Sequence, residues 1–160
     1  MTTFDTESFQ WRETYFVLFP SGNRPTLAKV EALLRKLGSH YQLSDTQADE
    51  DGKFESLTLV SPDDFAALDI SYLEGEDVEE QVAALIEELR PGDGVEPAKL
   101  ALLPQCDARF DVMHFEQMVN DPEAEEGDDM LDPSTLLLVI DALVELTRGV
   151  GIDPQSGSLM

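Results

Sequence analysis

Two histidines and one cysteine supply nearly all the side-chain chemistry that titrates close to neutral pH in this chain of 160 residues. His114 and Glu116 lie two positions apart in the run from Ala108 to Met118. In an extended strand, residues two apart point to the same face, so this is the candidate acid/base pair. Cys106 precedes His114 by eight positions, roughly 26 Å of extended chain. The two meet as nucleophile and base only if the chain folds back before the strand; the simpler expectation for Cys106 is a small buried hydrophobe. His40, just after the helix-stopping Gly38, reads as a loop residue. No Gly-x-Ser-x-Gly elbow is present, and Ser21-Gly22-Asn23-Arg24 lacks the glycine spacing and the Lys-Ser/Thr pair of a phosphate loop.

Metal chemistry is the next candidate, because carboxylates are plentiful. An EF-hand loop requires acids at positions one, three and five, glycine at six and glutamate at twelve. With Gly52 at six, Asp49 and Asp51 fall correctly, but Gln47 takes the first position and Thr58 the twelfth. The bidentate ligand is missing. Glu125, Glu126, Asp128 and Asp129 are weak candidates for loose divalent-cation binding within an acidic stretch, 119–131. Runs of like charge repel one another, so the expectation there is a solvated loop. One cysteine and two histidines cannot supply a structural zinc site. No cofactor is expected.

Thirty-four acidic side chains face ten basic ones, a formal net charge of −24. Residues 1–50 carry seven acids and five bases, residues 51–110 fifteen and four, and residues 111–160 twelve and one. Such a surface repels phosphate backbones and anionic lipid, which excludes nucleic-acid and membrane-surface binding as expected functions. It attracts basic proteins. The N-terminus has no basic segment followed by an apolar one, so no secretory signal is read there. The longest apolar run, Leu136 to Leu146, contains Asp141 and is well short of the ~20 residues of a membrane span. A single cysteine excludes an internal disulfide, and the expected location is cytoplasmic.

The elements that must position these residues follow from periodicity. Residues 11–19 alternate Tyr15, Val17 and Phe19 against Phe16 and Leu18, a strand apolar on both faces. Thr26 caps a helix with Leu27, Val30, Leu33, Leu34 and Leu37 on one side, ended by Gly38. Tyr41–Ala48 and Phe54–Val60 flank an Asp-Gly turn and form a hairpin. Ser61 to Asp64 starts a turn, and Asp69–Leu73 a short strand. A helix from Glu76 places Val78, Val82, Leu85, Ile86 and Leu89 on one face, and Pro97 to Leu103 holds one or two helical turns. Residues 108–118 form a strand with Phe110, Val112 and His114 on one side and Met113 and Phe115 on the other. Asp132, Pro133 and Gly149 bound the last helix, and Val150–Ile152 is a final strand piece.

One α+β domain over residues 1–160 is the expected organisation, with residues 1–10 as an arm. The element order contains the split βαβ of ferredoxin-like folds, an antiparallel sheet here extended by a C-terminal helix and short strand. That architecture leaves an apolar surplus: Met113 and Phe115 face away from the core side, and the last helix is apolar nearly all round. Either this helix crosses the second sheet face or another subunit covers it. Met113 and Phe115 are therefore the candidate partner-binding residues. The expected function is a non-enzymatic accessory or protein-interaction domain, as a homodimer or with a basic protein partner. The alternatives are a small-molecule-binding regulatory domain and an enzyme using His114 and Glu116.

Overall fold

Alternation of large apolar residues from Tyr15 to Phe19 builds β1 (Phe9–Phe19) in the computed structural model, which describes residues 9–38, 41–61, 66–88, 97–117, 134–153 and 159. Pro20 ends the strand and opens a single 3-10 turn, Ser21–Asn23. Helix α1 (Leu27–Leu37) starts where Thr26, itself extended, accepts a hydrogen bond from the Lys29 amide. This satisfies one of the amides that the first turn leaves without a helical partner. Gly38 stops the helix in an extended conformation, with φ −166°. Strands β2 (Gln42–Ala48) and β3 (Phe54–Ser61) form the expected hairpin. At its turn Asp49 Oδ1 accepts from the amides of Asp51 and Lys53, both at 2.9 Å, and Gly52 takes a φ of +80° that favours glycine.

Strand β4 (Ala66–Glu74) is longer than the five-residue piece expected at 69–73, because it pairs along its length with β3 on one side and β5 on the other. Helix α2 (Glu76–Glu88) follows, with Glu76, Asp77 and Glu79 in the first turn where the dipole favours acids. Helix α3 (Pro97–Leu102) runs into a 3-10 turn, Leu103–Gln105. Strand β5 (Ala108–Gln117), helix α4 (Ser134–Thr147) and strand β6 (Val150–Ile152) are the last of the described elements. The turn or helix start expected at 62–64, the acidic stretch 119–131, His40, and the capping residues Asp132 and Pro133 lie outside the described residues. No helix among the described residues is long and apolar enough to cross a membrane.

All six strands join one antiparallel sheet in the order β2-β3-β4-β5-β1-β6. The α+β class is therefore as expected, but the strand order departs from the ferredoxin-like one. There a single strand separates the two parallel strands of the split βαβ. Here β3, β4 and β5 all lie between β1 and β2. Short connections turn β2, β3 and β4 into a meander, and nine-residue β4 offers a full second edge that pairs with β5 and not with β1.

Two helical layers flank the sheet. On the first face Val17, Phe19, Leu59, Leu68, Ile70, Phe110 and Val112 pack against Val30 and Leu34 of α1 and against Leu136, Val139, Ile140 and Leu143 of α4. The rings of Phe19, Phe54, Tyr72 and Phe110 meet at its centre, with centroids 4.8 Å apart for Phe19 and Phe110. On the second face Leu18, Val150 and Ile152 pack against Val78, Val82 and Leu85 of α2 and against Leu103. The expectation that α4 crosses the second face is thus corrected. It shares the first face with α1, and its remaining apolar side leaves Leu137 and Leu138 exposed at 41% and 47%.

Gly149 stands at the end of α4 for a reason other than a left-handed turn. Arg148 takes the positive φ, +56°, while a Cβ on Gly149 would collide with the Leu18 carbonyl oxygen and lie 2.9 Å from Phe19 Cβ. Close approach of α4 to β1 is what requires glycine here.

Candidate functional site

His114 occupies the first face as expected, alternating with Phe110 and Val112, and is only 8% exposed. The carboxylate brought to it is Glu13, opposite it on β1, with Oε1 3.6 Å from His114 Nδ1. Glu116 pairs in register with Gln10 and Ala66, and its side chain lies outside the described residues. Sequence reasoning missed Glu13 because the contact depends on which residues of two distant strands stand opposite. A bulge between Trp11 and Glu13 sets that register, and no local residue pattern announces it. Burial leaves His114 little surface against which a substrate could be placed.

Cys106 is buried on the second face, among the residues that pack beneath α2, and its thiol lies 3.6 Å from the Leu102 carbonyl oxygen it donates to. Burial, helped by Asp107, pushes the thiol up to about 11, which keeps it in the unreactive protonated form at neutral pH. Cys106 and His114 face opposite sides of the sheet and do not converge. Asp49 is committed to the hairpin: two backbone amides and Arg24 hold its carboxyl below the ordinary range, the Lys53 amide contributing most. Among the described residues no group of three or more His, Cys, Asp or Glu is placed to hold a metal ion. Glu125, Glu126, Asp128 and Asp129 lie outside those residues.

A cavity of about 470 Å³ opens beside Tyr72, bounded by Arg24, Gln47, Glu55 and Glu74. Its cation is already engaged. The Arg24 guanidinium stacks 4.0 Å over the Tyr72 ring, donates twice to the Phe54 carbonyl and lies 3.3 Å from Asp49. The Tyr72 hydroxyl, pushed up to about 12 chiefly by burial and next by Glu74, stays protonated. That hydroxyl is not poised for proton transfer near neutral pH.

The remaining site is the second sheet face. Beyond the area that α2 covers, it carries Val60, Ala67, Asp69, Met113, Phe115 and Trp11. Met113 and Phe115 point away from the first-face core, as expected, and are half-buried. Trp11, the only tryptophan, is 52% exposed and stands directly across from Phe115. The bulge explains its direction. Residues three apart on a regular strand face opposite ways, but the extra residue brings Trp11 and Thr14 to one side, where the indole Nε1 donates to Thr14 Oγ1 at 3.1 Å. Asp69, next to Met113 in the register, has its carboxyl held above the ordinary range, first by burial and then by Asp45.

No protein-family model, curated protein or solved structure matches this chain. Geometry and charge are what carry a functional reading.

Proposed function

We propose that the protein is a non-enzymatic interaction domain that binds a basic, partly apolar segment of another protein, in the cytoplasm, on the second sheet face at Trp11, Met113 and Phe115. The observation that supports this most is Trp11, a tryptophan half in solvent and paired across the strands with Phe115. A solvent-facing tryptophan beside a half-buried phenylalanine is a usual interface anchor, because aromatic side chains bury large areas at small entropic cost. Charge selects the class of partner. The chain carries −24, and a second copy would bring the same charge to the interface. Asp69 stands next to Met113 in the register, and its charged form is disfavoured first by burial and second by the charge of Asp45, so a lysine or arginine placed beside it offsets both.

Trp11 is also the reporter for the test, since its emission is the protein's only tryptophan signal. Titration with an amphipathic lysine/leucine peptide is expected to give a saturable blue shift. A scrambled peptide of equal composition, with no apolar face, binds at least tenfold more weakly. Met113→Lys, a change at a half-buried surface position, weakens the amphipathic peptide to a similar degree while leaving the circular dichroism spectrum unchanged. Equal binding of the two peptides overturns the reading, as does a dimer seen by light scattering with Trp11 already buried.

A further inference from the structure

We propose that the depression between the start of α1, the β2–β3 turn and the end of α4 binds a small phosphoryl-bearing anion. This site stands apart from the sheet face bearing Trp11 and does not depend on that reading. The depression encloses about 260 Å³, and Arg24, Lys29, Lys53 and Arg148 line it. They are four of the ten basic residues of the chain, drawn from a loop, a helix start, a hairpin and a helix end. Among the described residues no carboxylate lines the depression, in a protein where acids outnumber bases 34 to 10. A convergence of cations against that composition is what points to an anionic ligand.

Three of these cations form no ion pair among the described residues. Among the described residues no carboxylate oxygen lies within 4.0 Å of the side-chain nitrogens of Lys29, Lys53 or Arg148. Arg24 is fixed by Phe54 and Asp49 and forms a rigid positive wall. Asp49 pairs with Arg24 and also acts electrostatically on Lys53, and one carboxylate against four cations leaves a clear excess of positive charge. Asn23 holds the end of α4 against the loop, its Nδ2 donating to the Thr147 carbonyl at 2.9 Å. That bond positions Arg148, the next residue, at the rim.

The start of α1 adds to the case without carrying it. Its first turn contains no acid and does contain Lys29, whereas the first turn of α2 holds three acids. A cation at that end runs against the helix dipole, and an anion seated beside it offsets that unfavourable interaction. Two ammonium and two guanidinium groups around a small open depression suit compact, multiply charged oxyanions. The remote acids repel such a ligand over long range, but at physiological ionic strength charges more than ~8 Å away are largely screened, and the local cations dominate.

Titration of the ¹⁵N-labelled full chain with pyrophosphate, followed by NMR, is the test. Saturable one-to-one binding is expected, with shifts confined to residues around Gly22, Thr26, Lys29, Lys53 and Arg148. Lys29→Ala combined with Lys53→Ala weakens it on the order of tenfold or more, while Lys36→Ala, at an exposed lysine outside the depression, binds like the wild type. ADP distinguishes the source of the phosphoryl group: affinity equal to pyrophosphate assigns the free anion, and tighter binding at the same residues assigns a nucleotide ester. Non-saturating shifts, shifts centred elsewhere, or an undiminished affinity in the double variant overturn the proposal. So does tighter binding of a short oligonucleotide at other residues.

Discussion

Replacing Gly149 by alanine tests how β6 and α4 are joined to the rest of the sheet. The added Cβ meets the Leu18 carbonyl oxygen, Phe19 Cβ at 2.9 Å and Thr147 Oγ1 at 3.0 Å. Two of these neighbours cannot rotate away. Leu18 O is backbone in a strand paired on both sides, and Phe19 Cβ is rooted in the core. Relief requires the chain after α4 to move outward, which strains the three pairs that hold β6: Phe16 with Ile152, Val17 with Gly151, and Leu18 with Val150. Overpacking alone costs ~1–3 kcal/mol. Partial withdrawal of Val150 and Ile152 from beneath α2 adds a share of the ~1.5–3 kcal/mol that each buried side chain contributes. Loss of glycine flexibility in the unfolded chain offsets about 0.4–1 kcal/mol. The expected net is about 3 kcal/mol of destabilisation, a fall in Tm of roughly 6–12 °C for a chain of this length. Urea denaturation followed by far-UV circular dichroism measures it, with Gly22→Ala as the control, since a Cβ there meets nothing within 4 Å. A Gly149→Ala protein within about 1 kcal/mol of Gly22→Ala would refute the close-approach account.

Asp69→Asn is expected to raise Tm at pH 7. The Asp69 carboxyl is held above its ordinary 3.8 in the folded state, by burial first and by Asp45 second. The folded protein therefore binds that proton more tightly than the unfolded chain, and stability falls as pH rises through the window above 3.8. The advantage of asparagine shrinks as pH is lowered toward that value, and a gain in Tm as large at pH 3.8 as at pH 7 contradicts the assignment. Cys106 is expected to resist Ellman's reagent in the native protein at pH 8, where a thiol near 11 is ionised in roughly one molecule per thousand and is also buried. In denaturing urea it reacts at once; rapid modification of the folded protein would place the thiol at the surface instead.

Local elements were largely legible. Thr26 and Gly38 bound α1 as expected, and the Asp-Gly signal marks the β2–β3 turn. Both depend on interactions within a few residues: a side-chain cap, a glycine conformation, an amphipathic repeat. The alternation in β5 also placed Phe110, Val112 and His114 opposite Met113 and Phe115, since a strand has only two sides. What failed depends on partners far apart in the chain. Strand β4 was underestimated because Ala66, Ala67 and Leu68 become strand only by pairing with β3 and β5. The direction of Trp11 depends on a bulge, and Glu13 reaches His114 only through the register between β1 and β5.

The sequence alone determined the sign and scale of the net charge, the absence of an internal disulfide and the amphipathic faces of the helices, because these follow from residue type and spacing. Tertiary structure decided which face each helix covers. It set α4 beside α1, kept Cys106 and His114 on opposite sides of the sheet, and gathered Arg24, Lys29, Lys53 and Arg148 around one depression. The physical reason is that strand order and layer choice minimise the exposed apolar area of the whole chain at once. No window of sequence contains that sum.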